Sequence, residues 1–232
     1  MSIYVGDIES DGLLDTITKV HCIVLQDVDT LEVFSYGPDN IQAGLDRMME
    51  AEKLIFHNGI GYDFPALEKV YPEFRVDRDR VIDTLVCTRL IWTNLSDTDG
   101  PRVNAGKLEP RQRGSHALAA WGKRLGLLKG DFGQSTDWLS WSPELQEYCE
   151  QDVAVTLKLW AAISKKEYSA TALELEHKVA WIIAEQQRHG FLFDVAKAEK
   201  LLMHLQVERA KIETDLQTIF DPWYSAVEVK TP

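Results

Sequence analysis

The chain has 232 residues, 45% of them apolar, and its 37 acidic and 25 basic side chains leave a formal charge of −12. That size suits one good-sized domain, or a domain with a helical appendage, and the acidity argues against a general nucleic-acid binder, which shows a basic field. No apolar run approaches a bilayer span and no secretory pattern opens the chain, while three scattered cysteines without a CxxC (Cys22, Cys87, Cys149) predict a reduced, cytoplasmic protein lacking a disulfide frame or zinc site.

In chain order, "SIYVGDI" reads as a strand, and "VHCIVLQDV" and "LEVFSYG" read as two more in a meander with it. "DNIQAGLDRMMEAE" has helical spacing, "KLIFHNG" is a fourth strand, and "YDFPALEKVY" is a helix entered through a Gly-containing loop. "RVIDTL" is a short strand whose Asp83 caps the helix "TLVCTRLIW". Residues 93–114 are polar and rich in Gly, Pro and Arg, and are expected to form a long functional loop. Arg102, Lys107, Arg111, Arg113, Lys123 and Arg124 face one acid there, Glu109, so loop 102–113 is a candidate track for phosphates that reads no bases. "SHALAAWGKRLG" is a helix with Ser115 as cap and Gly126 as stop. A long helix follows from Ser142 and Pro143, then two more near 172–189 and 194–219, with Gly190 and Asp194 at the turn.

Strands first, then alternation, then helices alone define an α/β chain with a mixed central sheet and a C-terminal helical pair. The expected limits are a domain at 1–168, a helical hairpin at 169–220, and a tail at 221–232 leading toward a further domain.

Three short segments each present an acid at a turn or on one face. Asp7 and Glu9 lie two apart at a strand end, hence on the same face. Asp63 follows a strand and opens a helix in "HNGIGYD", and Tyr148 and Asp152 lie one helical turn apart. Four converging carboxylates repel one another unless cations balance them. Two Mg²⁺ or Mn²⁺ ions would do so, since hard divalent cations favour carboxylate and water ligands. Such a pair, roughly 3.5–4 Å apart, suits in-line attack at a phosphodiester.

The segments resemble the three motifs of the DEDD exonucleases, which have an RNase H-like fold. Asp7, Glu9 and Leu13 match DxExxxL; Asn58, Tyr62 and Asp63 match the second motif; Tyr148 and Asp152 match YxxxD, the tyrosine subclass. The likeness covers roughly residues 1–165. "FHNGIGYDFPAL", "IDTLVCTRLIWTNLSDTD" and "GSHALAAWGKRLG" further resemble the proofreading domain of the family A polymerases of small podoviruses that recruit host thioredoxin. "LEHKVAWIIAEQQRHGFLFD" is similar to the helical turn that follows that domain.

The resemblance implies a 3′–5′ exonuclease that releases 5′-nucleoside monophosphates from single-stranded or frayed DNA 3′ ends. Asp7, Glu9 and Asp152 would hold one metal, Asp7 would bridge to a second, and Asp63 would act on the second through water. Tyr148 would orient the attacking water, Leu13 would wedge against the last base, and Asn58, His57 and Tyr62 would contact the terminal nucleotides. A polymerase domain, on the same chain or another, is an implied partner. Thioredoxin is not expected to bind, because the thumb segment that recruits it is not in this sequence. The implied location is the host cytoplasm.

An RNA-directed relative of the ribonuclease D type and an inactive polymerase scaffold are the rival readings. Elsewhere, Asp83 reads as a helix cap, Asp11 and Asp15 as solvated turn acids, and His21 and His116 as locally hydrogen-bonded. Trp121, Trp160 and Trp181 read as core, and Trp138 and Trp141 as surface aromatics, with a groove as the alternative.

Overall fold

The computed structural model describes residues 2–127 and 138–220; the expected tail, 221–232, lies outside the described residues. Two compact units are present, Met1–Arg188 and His189–Pro232.

The first unit is built on β1 (Ile3–Ser10), β2 (Val20–Asp27), β3 (Val33–Tyr36), β4 (Lys53–Phe56) and β5 (Val81–Asp83), in the order β3-β2-β1-β4-β5. β1 is antiparallel to β2 and parallel to β4, so the sheet is mixed, as expected from the sequence. β2 reads as a nearly continuous apolar run because it is covered on both faces. β1 instead alternates. Val5 joins Cys22, Val24, Ile55, Cys149 and Val153 on one face, whereas Tyr4 and Ile8 join the larger core on the other. Gly6 points toward that larger core. A Cβ there would come within 2.4 Å of the Phe56 ring, so no side chain fits.

Helices α1 (Ile41–Glu50) and α2 (Asp63–Val70) bury Ile41, Leu45, Met48, Phe64 and Leu67 in the larger core. The opposite face is crossed by α6 (Pro143–Ile163), which packs over β1 and β2. Its N-cap is Ser142, whose hydroxyl accepts the Leu145 N–H at 3.2 Å. Helix α3 (Thr84–Ile91) is capped by Asp83 as expected. With α5 (Leu118–Leu125) and α6 it encloses a third cluster around Cys87, Trp121, Leu159 and Ile163.

Two local expectations are corrected. Residues 93–114 are not a long loop: they form α4 (Leu95–Asn104) and a short 3₁₀ turn at Pro110–Gln112. The fully buried Asp99 staples α4 to α5, accepting from Arg124 Nη2 at 2.7 Å and Nε at 3.1 Å. Ser115 is not the cap of α5 either. That helix starts at Leu118 after Ala117, because Ser115 is turned so that its carbonyl accepts from Arg124 Nη1 at 2.7 Å.

Helix α7 (Ala170–His189) buries Trp181 and Ala184 in the larger core, with the Trp181 ring 6.1 Å from that of Phe64. The first unit therefore runs to Arg188, one helix beyond the limit read from the sequence. In the second unit α8 (Val195–Ile219) is capped by Asp194, which accepts the Lys197 N–H at 2.9 Å. No residue of α8 is buried.

Candidate active site

Alternation along β1 sorts its residues. Ile8 is 4% exposed in the larger core, while Asp7 and Glu9 are half-buried on the α6 side. There they meet Cys149, whose thiol donates to the Asp7 carbonyl at 3.5 Å and to Asp7 Oδ2 at 3.6 Å. Polar atoms of Asp7, Glu9 and Cys149 lie within 4.8 Å of one another. Burial pushes the Cys149 thiol well up, with Cys22 and Asp7 adding to it, so the thiol stays protonated and acts as a donor. The carboxylate oxygens of Asp7 and Glu9 are hard donors that could hold a cation such as Mg²⁺ or Mn²⁺.

Tyr148 and Asp152 lie on the same helix as Cys149. Asp152 is buried, and the Tyr148 ring meets the Trp138 ring edge-on at 5.9 Å. Trp138 is itself positioned through its carbonyl, 3.0 Å from His21 Nε2.

Asp63 arrives from the opposite layer. The β1–β4 pairing ends at Val5↔Ile55, so the rest of β1 has no strand beside it on that edge. Asp63 opens the helix that follows β4, and the amide of Ile8, the residue between the two β1 acids, is near enough to favour its ionised form. Burial pushes the Asp63 carboxyl up to about 7, with nearby Asp83 adding to the shift.

The segment carrying Asp63 is held by Asp83. Its Oδ1 accepts the N–H of Asn58 at 2.9 Å and of Leu85 at 2.9 Å, and its Oδ2 accepts that of Ile60 at 3.1 Å. Asp83 donates its own N–H to His177 Nε2 at 2.8 Å, tying α7 to the same point. This anchoring holds Asn58 in the left-handed region, at φ +66°. A Cβ on Gly61 would lie 2.6 Å from Asn58 Oδ1, so a side chain there would displace the Asn58 amide.

Tyr62 points back toward β1, where its hydroxyl bonds the Gly12 carbonyl and Ser10. It thereby tethers the turn that carries Leu13, which is 78% exposed. Asp11 pins the other side of that turn by accepting the N–H groups of Thr18 at 2.9 Å and Lys19 at 3.0 Å. His57 bonds Thr84 Oγ1 through Nδ1 at 2.8 Å.

Asp7, Asp152, His57 and Asn58 line one cleft of about 710 Å³ together with Leu85, Arg89 and residues 114–118. Asp63, Glu9 and Tyr148 are not among its lining residues: Glu9 lies beside Asp7 and Cys149, and Tyr148 one helical turn before Asp152.

Sequence reasoning understated Asp83 and did not single out Cys149, beside Asp7 and Glu9, or Arg89, in the lining of the cleft. Asp83 was legible as a cap, but its grip on Asn58 and Ile60 spans over twenty residues. Cys149 could have been found from its place one residue after Tyr148, on the α6 face that meets β1. The basic stretch is largely self-satisfied: Arg102 and Arg124 lie on Asp99, Arg111 and Lys123 on Glu109, and Arg113 donates to the Ser96 carbonyl. Asp99 stands just upstream of that stretch, so a charge count over 102–124 omits it.

A mixed five-stranded sheet in this order, with helices packed on both faces, is an RNase H-like fold. No protein-family model matches the chain. Among solved structures, NrnC of Brucella melitensis matches with a TM-score of 0.56 at 18% identity, covering 83% of this chain and 89% of that one. The same protein with bound Mg²⁺ matches with a TM-score of 0.55, and a structure described as the apo form of a nuclease with 0.52. At that identity the likeness is one of fold. In sequence the chain is 37% identical over 264 residues to the DNA-directed DNA polymerase of Escherichia phage T7. It is 36% identical over 263 residues to that of Enterobacteria phage T3, and each match takes in 95% of this chain. The chain is thus a homologue of part of a phage DNA polymerase, as the motif resemblance implies, and it spans 37% of the length of each of these relatives.

Proposed function

We propose that this chain is a two-metal 3′–5′ exonuclease that removes 5′-nucleoside monophosphates from single-stranded or frayed DNA ends, the proofreading part of a phage DNA polymerase. The observation that carries the reading is the convergence at one β1 edge. Asp7 and Glu9 lie under the helix that bears Tyr148 and Asp152, and Asp63 lies near the amide between them. Homology to phage polymerases and the nuclease fold support it.

Asp7, Glu9, Asp63 and Asp152 would hold two Mg²⁺ or Mn²⁺ ions, which would supply a lowered water pKa and charge stabilisation at the attacking and leaving oxygens. The chain's own groups do the rest. Tyr148, braced by Trp138, orients the attacking water through its hydroxyl. Asn58, set in its left-handed turn by Asp83, and His57, set by Thr84, contact the terminal nucleotide. Leu13, exposed on a turn tethered by Tyr62 and Asp11, wedges against the last base.

The test is mononucleotide release from a 5′-labelled mismatched primer, with and without Mg²⁺, for the wild type and Asp7→Ala. Release that needs Mg²⁺ and falls about a thousandfold, ~4 kcal/mol, in Asp7→Ala is expected. An inert wild type, or a fully active Asp7→Ala, overturns the reading. Running an RNA oligonucleotide in parallel decides between a DNA and an RNA substrate.

A further inference from the structure

Arg89 stands in the last turn of α3, an ordinary place for a cation. Its partners are not ordinary. The side chain is exposed, and among the described residues no carboxylate lies within ion-pair distance of it, in a chain of charge −12. The neighbouring cations of α4 and α5 are engaged on Asp99 and Glu109, as described above. Arg89 faces instead into the cleft that holds Asp7 and Asp152. It also lines a second groove of about 480 Å³, walled by α3 and α7, and Asn58 and Leu85 border both spaces with it. Glu176 lines that groove as well, beyond ion-pair distance.

Leu85 and Arg89 are four apart and share one face of α3, and α3 is registered to the Asn58 turn by Asp83 itself. The helix that carries Arg89 is thus registered to the Asn58 turn by a buried carboxylate. Arg89 belongs to a helix of the scaffold rather than to a loop.

A nucleic-acid backbone entering a cleft lined by carboxylates is repelled at every phosphate except those next to bound cations. A guanidinium in the lining of the same cleft offsets that repulsion, and its planar fork suits two phosphate oxygens at once. We propose that Arg89 grips a backbone phosphate of the substrate strand upstream of the linkage being cut, as the strand leaves the acid cleft over Asn58 and Leu85. The inference rests on the exonuclease reading and adds to it the residue that holds the strand.

The experiment compares full-length wild type, Arg89→Ala and Arg89→Lys on a 5′-labelled oligothymidylate in Mg²⁺, over a range of NaCl. Arg89→Ala is expected to raise KM about tenfold with kcat within about twofold, and to reduce the slope of log(kcat/KM) against log[salt] by about 0.7, one phosphate's worth on a single strand. Arg89→Lys should restore the slope but only part of the KM, because it keeps the charge and loses the fork. A neutral methylphosphonate is then walked along the strand. At one linkage the wild type should lose the same tenfold, and Arg89→Ala should lose nothing more there. An unchanged KM and slope in Arg89→Ala overturns the proposal, as does a methylphosphonate penalty equal in both chains at every position. So does a fall in kcat at constant KM. A wild type that releases no mononucleotide at any salt overturns the exonuclease reading, and this proposal with it.

Discussion

A buried carboxylate whose proton is held too tightly is a cost that a cation removes, and Asp63 is in that position. Burial, with Asp83 beside it, raises its pKa to about 7, whereas an unfolded aspartate titrates near 3.9. Between those values the folded chain binds the proton and the unfolded chain does not. The stabilisation from that proton is complete below the unfolded value and is lost as pH rises through about 7. In EDTA, therefore, stability should decline from pH 5 to pH 8, and Mg²⁺ should raise the melting temperature more at pH 8 than at pH 5. A melting-temperature gap between EDTA and Mg²⁺ that does not widen with pH would count against Asp63 as a metal-linked acid. Asp63→Asn keeps the shape of the side chain but carries no charge. It should stabilise the chain in EDTA at pH 8 by about 1–3 kcal/mol while mononucleotide release falls steeply. Gain of stability with loss of activity is the signature expected of a group kept for chemistry. The residue itself stood out in the sequence as an acid opening a helix just after a strand. Its raised pKa did not, because burial is a property of the packed layers.

At the scale of elements, the second motif is a turn that cannot hold itself. Asn58 is left-handed, and the N–H groups of Asn58, Ile60 and Leu85 all converge on Asp83. Asp83→Ala would leave three amides without that acceptor, two of them in the motif turn, for a loss of about 2–4 kcal/mol. Urea unfolding measures this, and activity should fall even though Asp83 touches no substrate; an unchanged midpoint would show that the turn is held otherwise. The α4 segment teaches the opposite lesson. Gly100 and Pro101 inside "LSDTDGPRVN" read as breakers, yet a helix forms because Asp99 docks into Arg124 at its centre. Local propensity lost to a buried ion pair that only the folded chain brings together. Asp99→Ala would strand Arg124, 3% exposed at its side chain. A loss of about 3 kcal/mol is expected, toward the low end for a broken buried pair because the Ser115 and Gln112 carbonyls still accept from the guanidinium. Thermal unfolding checks it, and a shift below about 2 °C would mean that α4 does not depend on the pair.

For the molecule as a whole, the question is where the cooperative unit stops. Composition placed the limit near residue 168, since strands and alternation end there and two amphipathic helices follow. Packing places α7 inside: Trp181 lies against Phe64 with the Arg78 guanidinium 4.7 Å above its ring, and His177 receives the Asp83 amide. Sequence could not separate α7 from α8, because both carry apolar residues at helical spacing and only the folded sheet shows which finds a core. α8 buries none of its side chains, although Leu201, Leu202, Leu205, Ile212 and Leu216 are all apolar. Two variants should therefore part company. A chain ending at Gly190 is expected to keep the melting temperature of the full chain within about 2 °C, since it removes exposed surface and no core. Trp181→Ala, within the full chain, is expected to lose about 3–5 kcal/mol, the range for emptying an aromatic site in a packed interior. Scanning calorimetry reads both. A shortened chain that melts far earlier would mean that α8 belongs to the cooperative unit, and a Trp181→Ala chain that melts as the wild type does would return α7 to the appendage.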